Sequence, residues 1–155
     1  RTSATAVPSR GGMFMAQTRK ARPISPHLQI WRWGPAMLVS ILHRITGNGL
    51  AFGGLGLLLW WIGALASGAG AYQTFLDWVW LGTDGGLQTV TSILGKVVLV
   101  GLTWAFFQHA ASGIRHLILD IGAGYELETN ARWSSLTIVF SILLTIAFWA
   151  FVLLR

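Results

Sequence analysis

The sequence predicts an all-α membrane protein with three transmembrane helices. Of its 155 residues, 54% are hydrophobic and only 10% are charged, whereas a soluble domain typically carries about 25% charged residues. Three apolar stretches are each long enough to cross a bilayer, which takes about 20 residues. They are too long for barrel strands and lack the period-two alternation of such strands, so helices are expected.

The three spans are predicted over about residues 35–65, 87–119 and 133–154, within one transmembrane domain, 35–155. Residues 1–34 form a basic N-terminal segment that holds six of the eleven Lys and Arg residues. The first part of this segment has no Asp or Glu, a composition typical of a targeting leader.

The loops between the spans predict an orientation. The first loop, 66–86, contains Asp77 and Asp84 but no Lys or Arg, whereas the second loop, 120–132, ends at Arg132. Because positive charge is retained on the inner side, the N-terminus and the second loop are expected to face the cytoplasm or the mitochondrial matrix. An aromatic run in the first loop is expected to lie along the outer interface.

Composition also excludes several kinds of site. The chain has no cysteine, which rules out disulfides, thiolate metal sites, iron–sulfur ligation and covalent haem attachment within it. The net charge of +6 comes mainly from residues ahead of the first span, as in a flank beside anionic lipid. Nucleic-acid binding is therefore not expected, since no basic recognition element follows.

A first polar cluster opens the first span. Ser40, His43 and Arg44 are three and four residues apart, so they share one helical face. Arg44 is always charged and needs an anionic or strongly polar partner near the inner interface. Two interpretations stay open for this cluster: a functional site, or a headgroup anchor at the start of a helix.

A second polar cluster closes the second span. His109 and His116 are two helical turns apart, with Gly113 between them, and His109 follows a continuous apolar stretch. A buried imidazole can simply bond a neighbour, or it can be an axial ligand of haem iron. Arg115 and Asp120 lie nearer the inner boundary, where propionates, a quinone or a partner subunit are possible contacts.

Other features of the spans have ordinary structural explanations. Lys96 lies near the outer end of the second span, where its ammonium can reach the interface. The glycines of the first span allow close approach of a helix or a flat cofactor, and helix packing alone explains any single one of them. The third span is interpreted as packing and anchoring.

Taken together, the polar clusters resemble the cytochrome b subunit of succinate dehydrogenase, the larger-type membrane anchor of respiratory complex II. The resemblance covers about residues 22–155, with Trp31 standing where the family usually has tyrosine. The matching boxes are Arg22-Pro23-Ile24-Ser25-Pro26-His27-Leu28 before the membrane, Ser40-Ile41-Leu42-His43-Arg44-Ile45-Thr46-Gly47 in the first span, and His109-x-x-x-Gly113-Ile114-Arg115-His116-Leu117-x-x-Asp120 in the second.

The resemblance implies roles for individual residues. His109 matches the axial ligand of the haem b iron, with the opposite ligand supplied by a second anchor subunit. Ser40 and Arg44 match ubiquinone-binding residues. His43, Arg44 and His116 match positions associated with the haem. No residue of this chain is expected to be catalytic for succinate oxidation.

The implied function is that of a non-flavin subunit of succinate:ubiquinone oxidoreductase, in the tricarboxylic acid cycle and the respiratory chain. The expected partners are a flavoprotein subunit with FAD, an iron–sulfur subunit, and a second small anchor subunit that completes the helical bundle, all beside membrane lipid. Haem b is expected to be shared with that second anchor, and ubiquinone is the substrate. The expected location is the bacterial cell inner membrane, with the N-terminus cytoplasmic, or alternatively the mitochondrial inner membrane.

Three alternative functions remain at this point. In the first, the chain is a purely structural anchor without haem, and in the second it is the anchor of a related fumarate reductase. A small transporter subunit using Arg44 and His109 is a third class, although the paired acids and broken helices of such proteins are lacking.

Overall fold

The computed structural model describes residues 32–155. The pre-membrane box at residues 22–28, Trp31 and most of the basic segment lie outside the described residues. The described part is helical, with a π-helical turn inside the first helix and another directly after the second. The helices are α1 (Pro35–Ala66), α2 (Ala69–Leu76), α3 (Gly86–Asp120) and α4 (Leu127–Leu154).

Three of these helices, α1, α3 and α4, are long and apolar enough to cross a membrane, which confirms the predicted fold class. The main difference is that α4 begins at Leu127, six residues before the predicted start. Its first turns are polar, with Thr129 bonded to Glu126 and Arg132 paired with Glu128 at 3.5 Å. Hydropathy detects only the apolar part of a helix, so this polar beginning was missed.

Helix α1 contains a π-helical turn at Leu50–Gly54. The chain there is rich in glycine, which lacks the side chain that would resist a local change of winding. Leu102 of α3 packs against the resulting surface, 3.9 Å from a Cβ built on Gly53 and 3.8 Å from one on Gly54. The two helices are therefore close at the turn itself.

The segment predicted as the first loop is instead largely helical. Helix α2 and the π-helical turn Asp77–Leu81 pack on the bundle, where Phe75 and Val79 are buried with Ala64 of α1. A Cβ on Gly95 of α3 would overlap the carbonyl oxygen of Val79. The aromatic run of this segment therefore has an inward side that packs on α1 and α3.

Lys96 has an aromatic partner at this end of the molecule. Its ammonium lies 5.4 Å from the centroid of the Trp80 ring, which is stacked on Trp149 of α4 at 6.0 Å. A cation over an indole face is a favourable contact. This geometry fits the structural role predicted for Lys96.

The interior of the described bundle is more polar than its surface. Five hydrophobic residues are buried, against nine polar or charged ones, the reverse of a soluble core. In lipid, helices associate through small and hydroxyl-bearing residues, while apolar side chains face outward. The buried polar residues are Thr46, Ser92, Gln108, Ser112, Arg115, Ser134, Thr137, Ser141 and Thr145.

Candidate functional site

The two polar clusters meet where α1 crosses α3. The imidazole rings of His43 and His109 are stacked, with centroids 3.9 Å apart and planes 9° from parallel. The ring of His116 stands edge-on to His43, at 5.4 Å and 63°. Three histidines that are far apart in the sequence are thus neighbours in the fold.

His109 is held by the backbone of α1. Its Nδ1 lies 3.1 Å from the carbonyl oxygen of His43 and 3.4 Å from the hydroxyl of Thr46. A carbonyl oxygen only accepts, so in this contact Nδ1 carries the hydrogen and donates it. In the neutral imidazole the lone pair is then on Nε2, which is the arrangement of a metal-binding histidine.

Gly47 makes this close approach possible. A Cβ built on Gly47 would lie 2.9 Å from Cε1 of His109 and 3.3 Å from its Nδ1. The same Cβ on Gly113 would lie 3.9 Å from Cε1 of His43, an ordinary contact distance. The glycine that the histidine pair requires is therefore Gly47, on α1.

His43 is held in turn by α3. Its Nδ1 lies 2.7 Å from the hydroxyl oxygen of Ser112, a residue with no exposed surface. The Ser112 hydroxyl also lies 2.7 Å from the carbonyl oxygen of Gln108, to which it donates. The two histidines are consequently fixed from opposite helices.

The two residues predicted to bind quinone lie close to His43 in the sequence but differ from it in their contacts. Ser40 is half-buried and Arg44 is exposed. Within residues 32–155, neither side chain has a hydrogen-bonding or ionic partner. No contact within that part of the chain occupies the Ser40 hydroxyl or the Arg44 guanidinium.

Arg115, the basic residue of the second cluster, contacts α4 and not the histidines. Arg115 is 7% exposed and donates from Nη2 to the side-chain oxygen of Asn130 on α4. It therefore ties α3 to α4 and does not join the histidines. His116 and Asp120 are exposed.

Comparison with known proteins identifies the family. Residues 18–148 match the model of the family described as the succinate dehydrogenase/fumarate reductase transmembrane subunit. The chain belongs to this family. It is a cytochrome b-type membrane-anchor subunit of the succinate dehydrogenase complex, as the predicted resemblance indicated.

Curated relatives agree with this assignment. The succinate dehydrogenase cytochrome b556 subunit of Paracoccus denitrificans is 38% identical over 128 residues, which covers 83% of this chain and 89% of that subunit. The same subunit of Rickettsia felis is 35% identical, covering 83% and 90%. The mitochondrial cytochrome b560 subunit of Sus scrofa is 30% identical, covering 79% and 66%.

Sequence reasoning missed a polar contact of this anchor subunit next to His109. Gln108 is fully buried, and its side-chain oxygen accepts a 2.7 Å hydrogen bond from Ser141 of α4. The signal that would have found it is a stripe of hydroxyl residues on α4 at spacings of three, four and four, which places them on one face. The stripe is Ser134, Thr137, Ser141 and Thr145. The third span thus also holds the helix that carries His109.

The donor set fits a haem iron better than a bare metal ion. Within residues 32–155, no group of three or more His, Cys, Asp or Glu side chains is arranged to hold a metal ion. A haem b iron needs only one axial imidazole from each side, because the porphyrin supplies the other ligands. His109, half-buried and with its Nδ1 engaged by a backbone carbonyl, meets that requirement.

Proposed function

We propose that this anchor subunit supplies one axial ligand of haem b and one wall of a ubiquinone-reduction site. The observation that carries the proposal is the hydrogen bond from His109 to the carbonyl oxygen of His43. It fixes the ring and leaves the lone pair on Nε2, as a hydrogen bond from the other ring nitrogen does for metal-binding histidines. The cytochrome b names of the relatives support haem b as the group.

The surrounding residues of the chain would hold the haem in a defined place. His109 would bind the iron, with the opposite ligand from a second small anchor subunit. Arg44 carries a permanent charge that would neutralise a propionate, and His43 and His116 would lie beside it as polar neighbours. The bound haem would store and pass single electrons, with a potential tuned by these residues.

Ser40 and Arg44 would form this chain's part of the quinone pocket. The Ser40 hydroxyl would donate a hydrogen bond to a quinone carbonyl oxygen. The Arg44 guanidinium would stabilise negative charge that develops on the quinone during reduction, an effect that is strong where water is excluded. The lack of any partner for either side chain within residues 32–155 supports this assignment.

Succinate chemistry would take place in other subunits. A flavoprotein with FAD would oxidise succinate, and an iron–sulfur subunit would carry the electrons, because a chain without cysteine cannot hold such clusters. Higher identity to the Paracoccus subunit, 38%, than to mitochondrial cytochrome b560 subunits, 30% and 36%, supports a bacterial inner membrane. Positive charge near the N-terminus supports a cytoplasmic location for that end.

The haem proposal is tested by a reduced-minus-oxidised optical spectrum of the purified complex. We expect a b-type band, together with co-purification of flavin and iron–sulfur subunits identified by mass spectrometry. A complex that contains those subunits but shows no b-type band would establish the structural-anchor alternative instead.

The quinone proposal is tested by Ser40→Ala and Arg44→Ala. Loss of one hydrogen bond should lower kcat/KM for ubiquinone by about tenfold in Ser40→Ala. Loss of the charge should lower it by about 10²–10³-fold in Arg44→Ala. Both variants should still oxidise succinate at the wild-type rate with an artificial dye as acceptor.

The matched control for the charge is Arg132→Ala, because Arg132 is 79% exposed and pairs only with Glu128 of its own helix within the described chain. It should leave quinone reduction unchanged. Wild-type quinone kinetics in both Ser40→Ala and Arg44→Ala would refute the quinone assignment.

A further inference from the structure

Ser112 has hydrogen-bonding contacts of two opposite kinds. Its hydroxyl oxygen lies 2.7 Å from Gln108 O and 3.1 Å from His109 O, both carbonyl oxygens of its own helix. It also lies 2.7 Å from Nδ1 of His43 on α1. Because carbonyl oxygens only accept, the single hydroxyl proton is given to the α3 backbone. The serine oxygen then accepts from His43, whose Nδ1 must carry a hydrogen.

At the crossing of α1 and α3, each helix therefore donates a hydrogen bond to the other. His109 of α3 donates to the backbone of α1 at the His43 carbonyl, at 3.1 Å. The side chain of that same His43 donates back to Ser112 of α3. Between these two bonds lie the stacked rings, 3.9 Å apart. Rotation of the His109 ring about its Cβ–Cγ bond would bring it against the His43 ring. The hydrogen bond to Ser112 keeps the His43 ring from moving away.

Water does not replace this contact. Ser112 has no exposed surface, so a His43 ring released from it would find no solvent molecule in the same place. Within residues 32–155, the released ring would have no other hydrogen-bonding side chain to hold it in the stack. Gly113, another neighbour of the ring on α3, has no side chain that could hold it, and even a built Cβ would lie 3.9 Å from Cε1 of His43.

We propose that Ser112 is a positioning residue that fixes the plane of the His109 imidazole by holding His43 against it. This inference rests on the proposed ligation of haem by His109. Ser112 itself does not touch the iron. It acts through His43, in the way that hydrogen bonds from neighbouring residues fix the ring orientation of metal-binding histidines.

The test is electron paramagnetic resonance of the oxidised haem in the complete purified complex, since the low-spin signal depends on how the axial imidazole planes are oriented. In Ser112→Ala the haem should remain bound, because His109 is intact. Its low-spin signal should shift or broaden as the His109 plane loses its single orientation. Ser112→Thr, which keeps a hydroxyl at the same position, should restore the wild-type signal.

The matched control is Ser134→Ala, which removes an equally buried hydroxyl that donates only to its own helix, at Asn130 O. It should leave the signal unchanged. A Ser112→Ala signal superimposable on the wild type would overturn the positioning role while leaving haem ligation intact. Equal changes in Ser112→Ala and Ser112→Thr would overturn it as well, because packing and not the hydroxyl would then matter. A wild-type complex without haem would be a failure of the proposed function, seen before any variant is compared.

Discussion

Replacing His109 with alanine is expected to remove haem b from the assembled complex. The substitution deletes a side chain whose Nδ1 is engaged by a backbone carbonyl, which leaves Nε2 to bind iron. Loss of the hydrogen-bond partner of a metal-binding histidine typically lowers metal affinity by about 10–100-fold. Loss of the ligand itself should lower the affinity at least as much. The measurement is the ratio of haem to protein in the purified complex, from the reduced-minus-oxidised spectrum.

The decisive comparison is with His116→Ala. Both histidines lie on α3 and both are near His43, but His116 is exposed and only edge-on to it, at 5.4 Å. His116→Ala should therefore keep the b-type band. A band that survives His109→Ala and disappears in His116→Ala would reassign the ligand to His116.

Cavity formation is a competing explanation for any loss in His109→Ala. His109 is half-buried and stacked on His43, so a general loosening of the α1–α3 crossing would also lower haem content. Assembly separates the two explanations. If only ligation is lost, the flavin and iron–sulfur subunits should still co-purify and should still oxidise succinate with an artificial dye.

The sequence predicted the long helices well because lipid imposes a simple rule. A run of about 20 apolar residues satisfies its own backbone only as a helix. Helix α2 escaped the same reasoning, because Ala69–Leu76 is short and its packing depends on Phe75, whose burial against α1 is a tertiary property. The early start of α4 escaped it because the first turns of that helix are polar.

Sequence patterns named the individual residues of the candidate site but not their arrangement. Spacing placed His43 and His109 on helices, yet their stacking joins positions far apart in the sequence, and helical periodicity carries no information about such a contact. The tautomer of His109 depends on a carbonyl oxygen, which belongs to the backbone and leaves no trace in residue identity. Gln108 was not predicted because its side chain is not ionisable. Any amide in an apolar span nevertheless needs a hydrogen-bond partner.

Replacing Gly47 with alanine is the second change with a large expected effect. The added methyl carbon would lie 2.9 Å from Cε1 of His109, closer than carbon atoms pack. Either the His109 ring moves off the His43 carbonyl, or α1 and α3 separate. Overpacking of this kind typically costs about 1–3 kcal/mol. We expect lower haem content and a lower thermal unfolding temperature for the assembled complex.

Gly49→Ala supplies the matched control two residues further along α1. A Cβ there meets nothing within 4 Å in the described chain, and alanine favours a helix over glycine by about 1 kcal/mol. This variant should keep its haem and should unfold no earlier than the wild type. If Gly47→Ala kept its haem and its stability as Gly49→Ala does, the close approach of α1 to the His109 ring would not require glycine. A loss confined to Gly47→Ala would instead show that the haem ligand is oriented by how closely α1 can approach it.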